Sequence, residues 1–322
     1  MNEARTIPAT AVSLEDGFRY CERLAKSHYE NFTVGSVLVP KDLRRHVHAI
    51  YAYCRWVDDL GDEPVEPLVK SLEEADWMHE QVRSGSQPLG PSQRMALLDR
   101  WEEELEACFT GDPTHPAMVA LQDTVRTFHI PREPFLKLIE ANRMEQRSSR
   151  FSTFEDLLFY CDHSANPVGH LFLYLFGYTD KGRQELSDYT CTALQLTNFW
   201  QDVHRDYSIG RIYLPLEDME RFGYTEAELS QRIVNQNFRE LMAFEVNRAE
   251  ELFQRGLPLV DMLGGKAKID VALFTKGGMS VLEAIRQQKY DVLSRRPSLS
   301  RWKKARLFLS AWAKMAWRGS AH

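Results

Sequence analysis

The chain has 322 residues, of which 43% are hydrophobic and 27% are charged, a composition typical of a globular protein. Its net charge of −6 argues against bulk electrostatic binding of nucleic acid, and no apolar run reaches the roughly 18 residues that a membrane span needs. The polar N-terminus predicts no secretory signal. The five cysteines are dispersed and include no Cys-x-x-Cys pair, which predicts reduced thiols and no structural zinc site. Together these features predict a cytoplasmic location.

The spacing of apolar residues predicts helices along nearly the whole chain. Val47, Ile50 and Val57 recur at helical spacing and predict a helix over 40–60, which Pro64 ends. The same spacing predicts further helices over 66–83, 93–108, 116–127, 133–143, 153–160, 168–175, 186–205, 226–254, 268–289 and from 299 onward. Alternating strand patterns are nearly absent, and the breaks between helices have the length of turns. We therefore expect one all-α domain.

The predicted helix over 186–205 carries a row of polar residues. Gln195, Asn198, Asp202 and Asp206 follow one another at threes and fours, which places them on one helix face. Two carboxylates at i and i+4 repel each other and weaken a helix by roughly a few tenths of a kcal/mol. The acidic pair therefore indicates a function that outweighs this cost.

The helix over 40–60 carries a second polar row, which also ends in acidic pairs. Asp58 and Asp62 lie four residues apart, and Asp59 and Glu63 form another such pair. Toward the N-terminus, the same row continues through Arg55, Tyr51, His48 and Arg44. The two rows thus have the same plan, a polar face that becomes acidic near the end of a helix.

Two such rows, brought face to face in a helical bundle, would form an oxygen-lined site for Mg²⁺, an ion that completes its shell with substrate phosphate oxygens. A single Asp-x-x-x-Asp pair is usually a solvated helix face, so this prediction depends on there being two rows. Arg55 is compatible with an ion pair to Asp58 or Asp59, and equally with a contact to a diphosphate.

Several motifs resemble the squalene and phytoene synthase family, the head-to-head branch of the all-α isoprenoid synthases. "DDLGD" at 58–62 and "QLTNFWQDVHRD" at 195–206 resemble the two aspartate-rich motifs of that family, and "GRIYLP" follows the second one. "YC" at 160–161 and the C-terminal "YDVLSRRPSLSRWKKARL" resemble further family elements. The resemblance implies a helical bundle with a central active-site cavity, divided into an N-terminal extension over 1–17, a synthase domain over 18–309 and a basic tail over 310–322.

The resemblance also implies roles for individual residues. Mg²⁺, for which Mn²⁺ is expected to substitute, would be bound by Asp58, Asp62, Asn198, Asp202 and Asp206. The diphosphate would lie near His28, Asn31, Arg55 and Arg295. The pocket would be lined by Tyr51, Phe32, Gln195 and Phe199.

Three departures from the family pattern point to one subgroup. Gln201 stands where most relatives have Arg, "SANP" at 164–167 replaces a Val-Ala-Gly run, and Gly277-Gly278 fall where several relatives keep a tyrosine. Fewer diphosphate contacts argue against the usual binding of two prenyl diphosphates. The sequence looks most like the bacterial hydroxysqualene synthases, which convert presqualene diphosphate and water to hydroxysqualene and diphosphate without NADPH.

This subgroup implies a reaction through a carbocation. Metal ions and Arg55 would draw off the diphosphate, and Asn166 or Ser164 would place the water that captures the cation. Four aromatic residues are candidates to stabilise the cation with their ring faces: Tyr51, Phe32, Tyr160 and Phe199. Ordinary packing in the core would also account for each of them. The protein is expected to work alongside a presqualene diphosphate synthase and a hydroxysqualene dehydroxylase.

Two other functions are compatible with the sequence. The first is head-to-head condensation of two prenyl diphosphates to presqualene diphosphate, squalene or phytoene. The second is a non-catalytic assembly protein, which would be expected to lose the acidic rows. The basic segment over 301–320 is compatible with peripheral contact at the inner face of a membrane and equally with a last helix packed on the bundle.

Overall fold

The computed structural model describes residues 12–27, 39–62 and 89–298, except for the side chain of Asp62. Within these ranges it contains thirteen helices and no strand beyond one isolated bridge between Arg150 and Ile212, which confirms the all-α class. The helices are α1 (Leu14–Ser27), α2 (Arg44–Asp62), α3 (Pro91–Thr110), α4 (Pro116–Phe128), α5 (Glu133–Arg147), α6 (Phe154–Ser164), α7 (Asn166–Leu175), α8 (Lys181–Ser208), α9 (Leu216–Arg221), α10 (Glu226–Ser230), α11 (Gln236–Gly256), α12 (Pro258–Met262) and α13 (Gly265–Gln287).

Some of the predicted elements lie outside the described residues. These are the helix over 66–83, the C-terminal segment from 299 with the basic tail over 310–322, and the site candidates His28, Asn31 and Phe32. The extension over 1–17 and the domain over 18–309 stay predictions. Of the extension, the structure describes residues 12–17, and α1 already begins there, at Leu14.

The prediction of one continuous helix over 226–254 is wrong. The structure has two helices there, α10 and α11, joined by a turn in which Arg232 adopts a left-handed φ of 55°. The Asn235 side chain accepts a hydrogen bond of 2.9 Å from the backbone N–H of Phe238 and so caps the N-terminus of α11. The periodicity of apolar residues runs through the break because both helices bury residues, and the local capping chemistry decides where the chain turns.

The chain divides into two compact units, Met1–Ile139 and Glu140–His322. In the first unit, α1, α2 and α4 pack on one another, and α3 packs on α2 and α4. Trp56 and Trp101 stack at 5.6 Å in its core, and the Trp56 indole N–H donates to the Tyr20 hydroxyl at 3.0 Å. Gly17 allows α1 to approach α4 closely, because a Cβ there would lie 2.8 Å from the Pro116 carbonyl oxygen.

The second unit is organised around α8. This helix packs on α6, α7, α11, α12 and α13, and it buries Leu196, Thr197, Trp200 and Val203 toward them. With 28 residues it is long enough to pass from this core to a partly exposed end that carries Asp202 and Asp206. The second polar row is therefore placed on the most extensively packed helix of its unit.

Candidate active site

The second polar row is formed as the sequence predicts. Gln195, Asn198, Asp202 and Asp206 lie on α8 between buried positions, with Asn198 exposed and the other three side chains half-buried. Burial and the neighbouring Asp202 carboxylate raise the pKa of Asp206 to about 7. The row thus brings two carboxylates close enough to interact in a partly desolvated place, as a site for a cation requires.

Arg296 supplies a cation to this row. Its Nε and Nη2 atoms donate to the two carboxylate oxygens of Asp202 at 2.5 and 2.8 Å, a bidentate ion pair. The segment that carries Arg296 follows α13 and is fixed by Val292 and Leu293, which are buried in the core of the second unit. Arg295, the residue that the resemblance implies for the diphosphate, lies next to Arg296 and is exposed.

Gln201, one of the departures from the family pattern, is part of the same contact. Its Nε2 donates to the Pro297 carbonyl oxygen, and its Oε1 accepts from Arg296 Nη2 at 3.3 Å. The glutamine therefore ties the segment after α13 to α8. An arginine side chain at this position has no acceptor and could not accept the bond from Arg296.

The first polar row lies on α2. Arg55 forms an ion pair of 2.5 Å with Asp59, one of the two partners that the spacing allowed. Asp58 is exposed and Tyr51 is half-buried, and burial is the main cause that raises the pKa of Tyr51. The first row belongs to the first compact unit and the second row to the other, so the predicted face-to-face arrangement stays a prediction.

An aromatic cluster adjoins the second row. Phe199 and Tyr213 stack with ring centroids 3.7 Å apart and an interplanar angle of 8°, and Tyr160 lies 6.3 Å from Phe199. Phe199, Tyr213 and Asp206 also line a small cavity together with aliphatic side chains. The structure thus places two of the predicted pocket residues, Phe199 and Tyr160, next to each other.

Glu145 lies at the base of this cluster, and sequence reasoning missed it. The Tyr160 hydroxyl donates to Glu145 Oε1, the Tyr213 hydroxyl donates to the same oxygen at 2.8 Å, and Arg211 Nη2 pairs with Oε2 at 2.8 Å. Arg211 and Tyr213 belong to the "GRIYLP" stretch, which was a usable signal. Glu145 has no such signal, because its partners are distant in the sequence.

Asn166 lies at the junction of α6 and α7. Its Oδ1 accepts from the Thr192 hydroxyl on α8 at 3.0 Å, and its Nδ2 lies 3.4 Å from Asp162 Oδ1. The nearby Ser164 Oγ is buried and has no hydrogen-bond partner among the described residues. Of the two candidates for placing a water, Asn166 already joins two helices, whereas the Ser164 oxygen has a vacant hydrogen-bonding capacity.

The donor set of the second row fits a hard divalent cation in its chemistry. Asn198, Asp202 and Asp206 can each offer a carbonyl or carboxylate oxygen as a ligand, and Mg²⁺ prefers oxygen ligands. Among the described side chains, no three carboxylate, imidazole or thiol groups converge on one point as a metal site of their own. These residues can provide one or two carboxylates and an amide oxygen to a metal ion. The remaining oxygen ligands would come from a substrate phosphate.

Similar proteins were found among family models, solved structures and curated sequences. The squalene/phytoene synthase model matches residues 25–303. The crystal structure of squalene synthase HpnC from Alicyclobacillus acidocaldarius is 43% identical, with a TM-score of 0.75, covering 87% of this chain and 97% of that one. A dehydrosqualene synthase in complex with a ligand is 25% identical, with a TM-score of 0.76, covering 94% and 98%.

Among the curated sequences, the 15-cis-phytoene synthase of Synechocystis sp. is 33% identical over 315 residues, which is 93% of this chain and 86% of that one. A phytoene synthase of Arthrospira platensis is 30% identical and covers 92% of both chains. The likeness extends along nearly the whole chain in sequence and in fold. These matches establish that the chain belongs to the squalene/phytoene synthase family.

Proposed function

We propose that this enzyme converts presqualene diphosphate and water to hydroxysqualene and diphosphate. The observation that carries the proposal is the role of Gln201, which holds the segment after α13 against α8 at a position where the family resemblance implies an arginine. The 43% identity to a squalene synthase supports placing the chain on the squalene side of the family. Presqualene diphosphate would be supplied by a head-to-head condensing enzyme, and hydroxysqualene would be consumed by a dehydroxylase.

Members of the family generally depend on a divalent metal ion. In this chain Asp58, Asp62, Asn198, Asp202 and Asp206 would hold Mg²⁺, with Mn²⁺ as a substitute. The bound metal would act as a Lewis acid on the phosphate oxygens of the leaving group. No NADPH is needed, because addition of water to the carbocation is redox-neutral.

The aromatic cluster would shelter the carbocation. Tyr160, Phe199 and Tyr213 are buried, and their ring faces carry negative electrostatic potential that attracts a cation. Burial and the Glu145 charge hold the pKa of Tyr160 well above its usual value, so its hydroxyl stays protonated and does not act as a nucleophile. These rings thus exclude bulk water without offering a competing reactant.

We assign the placement of the attacking water to Ser164 in preference to Asn166. Tyr160 on α6 lies beside Phe199 on α8, and Asn166 bonds to Thr192. Ser164 is the last residue of α6, which packs on α8, and we propose that its side chain lies near Gln195 of α8. The buried, unpartnered Ser164 hydroxyl and the half-buried Gln195 amide are suited to share one water between them.

The proposal is tested by a product assay. Purified protein with Mg²⁺ and without NADPH is given presqualene diphosphate in one reaction and farnesyl diphosphate in another, and the products are identified by gas chromatography and mass spectrometry. Hydroxysqualene from the first reaction and no product from the second is the expected result. Presqualene diphosphate formed from farnesyl diphosphate would contradict the proposal.

A second candidate function is head-to-head condensation of two prenyl diphosphates, as in phytoene synthases. The observation in its favour is the identity of 30–33% to phytoene synthases from Synechocystis and Arthrospira over more than nine-tenths of this chain. The assay above separates the two functions when geranylgeranyl diphosphate is added as a third substrate, because only condensation yields phytoene from it.

The membrane contact suggested by the basic segment over 301–320 lies outside the described residues. Within the described part of the chain, no helix combines the length and the apolar character that crossing a bilayer requires. A C30 product nevertheless has to leave for an apolar phase, and we propose that this basic segment assists its release at a membrane surface. Loss of liposome binding on deletion of residues 311–322 is the expected result, and unchanged binding would contradict it.

A further inference from the structure

Glu145 carries a largely buried carboxylate that three polar side chains contact. Its side chain is only 9% exposed, yet it accepts hydrogen bonds from two tyrosine hydroxyls and pairs with one guanidinium. A carboxylate in such a place is stabilised only if its charge is compensated and its oxygens are bonded, and both conditions are met. The Arg211 charge balances the carboxylate, and the hydroxyls of Tyr160 and Tyr213 share Oε1.

The partners of Glu145 come from two separate parts of the second unit. Tyr160 comes from α6, whereas Arg211 and Tyr213 come from the stretch after α8. Backbone bonds fix that stretch, since the Ile212 N–H donates to the Ser149 carbonyl at 3.0 Å. Glu145, near the end of α5, contacts all three polar groups.

The cluster is connected to the second acidic row. The Arg211 backbone N–H donates to the Asp206 carbonyl at 2.9 Å, and Tyr213 stacks on Phe199, which lies on α8 one turn before Asp202. Asp206, Phe199 and Tyr213 also line the same small cavity. A displacement of Glu145 would therefore move side chains on both sides of that cavity.

We propose that Glu145 is a positioning residue for catalysis, which holds the Tyr160 and Tyr213 rings and the Arg211 guanidinium beside the acidic row so that the carbocation meets fixed ring faces. The identity of that carbocation rests on the proposed function. Glu145 does not touch the reacting atoms. It acts by fixing the direction of both phenol O–H bonds toward itself, which leaves the ring faces oriented and the hydroxyls unable to rotate toward the cation.

The test compares Glu145→Gln with a matched control, Glu140→Gln. Glu140 lies on the same helix and pairs with Arg147 at 2.7 Å, away from the tyrosines. Glutamine at 145 cannot accept from three donors, and its amide N–H₂ repels the Arg211 guanidinium. For Glu145→Gln we expect kcat to fall about 10- to 100-fold, because this is the range for the loss of hydrogen bonds to a charged group. KM and the affinity for Mg²⁺ should change by less than about twofold. Glu140→Gln should retain the parental kcat.

Two further variants separate positioning from a general loss of structure. Glu145→Asp keeps the negative charge, so its kcat should be higher than that of Glu145→Gln. The double variant Glu145→Gln/Tyr160→Phe should have a kcat close to that of Glu145→Gln alone, because the hydrogen bond that Tyr160→Phe removes is already lost. Additive effects of the two substitutions, or an unchanged kcat in Glu145→Gln, would overturn the proposal.

If circular dichroism finds Glu145→Gln unfolded, Tyr160→Phe and Tyr213→Phe decide the matter, because each removes one bond to Glu145 and keeps the ring. A lower kcat at constant KM in both supports the proposal, and parental kcat in both overturns it. The kinetics are measured with whichever prenyl diphosphate the parental enzyme consumes. Failure of the hydroxysqualene assignment is therefore distinguishable from failure of the role of Glu145.

Discussion

Asp202 gives both carboxylate oxygens to Arg296, so a metal ion that binds at this residue competes with a guanidinium. The competition is local, because Arg296 is held in place by Gln201 and by the buried residues Val292 and Leu293. Binding of Mg²⁺ at Asp202 would release Arg296 toward the anionic substrate. The same arginine would then act in two states of the site, first as counter-ion to the carboxylate and then as a partner for a diphosphate.

Replacing Arg296 should strengthen metal binding in the absence of substrate. Removal of one competing positive charge at a partly exposed contact is worth about 1 kcal/mol, or roughly a fivefold gain in Mg²⁺ affinity for Arg296→Ala. Calorimetric titration of the substrate-free protein measures this change. Arg295→Ala serves as the control and should leave the affinity unchanged, since Arg295 makes no ion pair with Asp202. A weaker affinity in Arg296→Ala would contradict the competition.

Each acidic row should be indispensable for turnover. Asp58→Asn and Asp202→Asn each remove one carboxylate from the proposed metal site while preserving side-chain shape. We expect kcat to fall by roughly 10²- to 10⁴-fold at saturating Mg²⁺, because charge stabilisation of a leaving diphosphate contributes several kcal/mol. Asp188→Asn on the same helix as Asp202, where Asp188 pairs with His170 at 2.7 Å, should have little effect. Near-parental rates in Asp58→Asn or Asp202→Asn would remove that residue from the metal site.

At the level of the helices, adjacent glycines on α13 have opposite environments. A Cβ on Gly278 would overlap Phe253 Cζ and lie 2.9 Å from Leu194 Cδ2, whereas a Cβ on Gly277 meets nothing within 4 Å. Phe253 is fully buried and cannot move aside easily. Gly278 therefore lets α13 approach α8 and α11 closely, and Gly277 has no such role in packing.

The two glycines form a matched pair for a stability measurement. Gly278→Ala should destabilise the protein by about 1–3 kcal/mol through overpacking, whereas Gly277→Ala should stabilise it by about 0.5–1 kcal/mol because alanine favours the helix. Urea denaturation of both variants, with the midpoint and slope compared with the parent, measures the effects. Equal shifts of the same sign would contradict this account of the packing.

At the scale of the whole molecule, pH affects stability through buried charges. Glu245 is fully buried on α11, beside Asp218 and Arg248, and Arg248 is held between the rings of Phe154 and Phe244 at 4.1 Å from each. Burial is the main cause that raises the pKa of Glu245 from 4.5 to about 9. The folded protein thus keeps a proton that the unfolded chain gives up.

This difference predicts that stability falls with rising pH. The contribution of protonated Glu245 is fully present below pH 4.5 and is lost as pH rises toward about 9. Glu245→Gln, which mimics the protonated acid, should flatten the dependence of the urea midpoint on pH between 5 and 9. Glu240→Gln, an exposed position on the same helix, should keep the parental slope. Identical slopes for the parent and Glu245→Gln would refute this assignment of the proton.

The sequence predicted much of the secondary structure because helical periodicity is a local property. The bounds of α4 follow the apolar spacing to within one residue and those of α8 to within five, and the polar row on α8 follows from 3.6 residues per turn. It missed the turn between α10 and α11, where capping by Asn235 interrupts an unbroken periodicity. It did not resolve α9 or α12, since helices of five or six residues carry too little pattern.

The sequence by itself determined the helical class, the acidic rows and the family, because each depends on residue types at fixed short spacings. Only the tertiary structure decided that Arg55 pairs with Asp59, that Arg296 and not Arg295 contacts Asp202, and that Glu145 joins two tyrosines to an arginine. The last two sets of contacts join residues 15 to 94 positions apart, and the first involves neighbours that helical spacing makes equivalent. Such choices depend on how the side chains pack and where charge is desolvated, which periodicity along one helix does not encode.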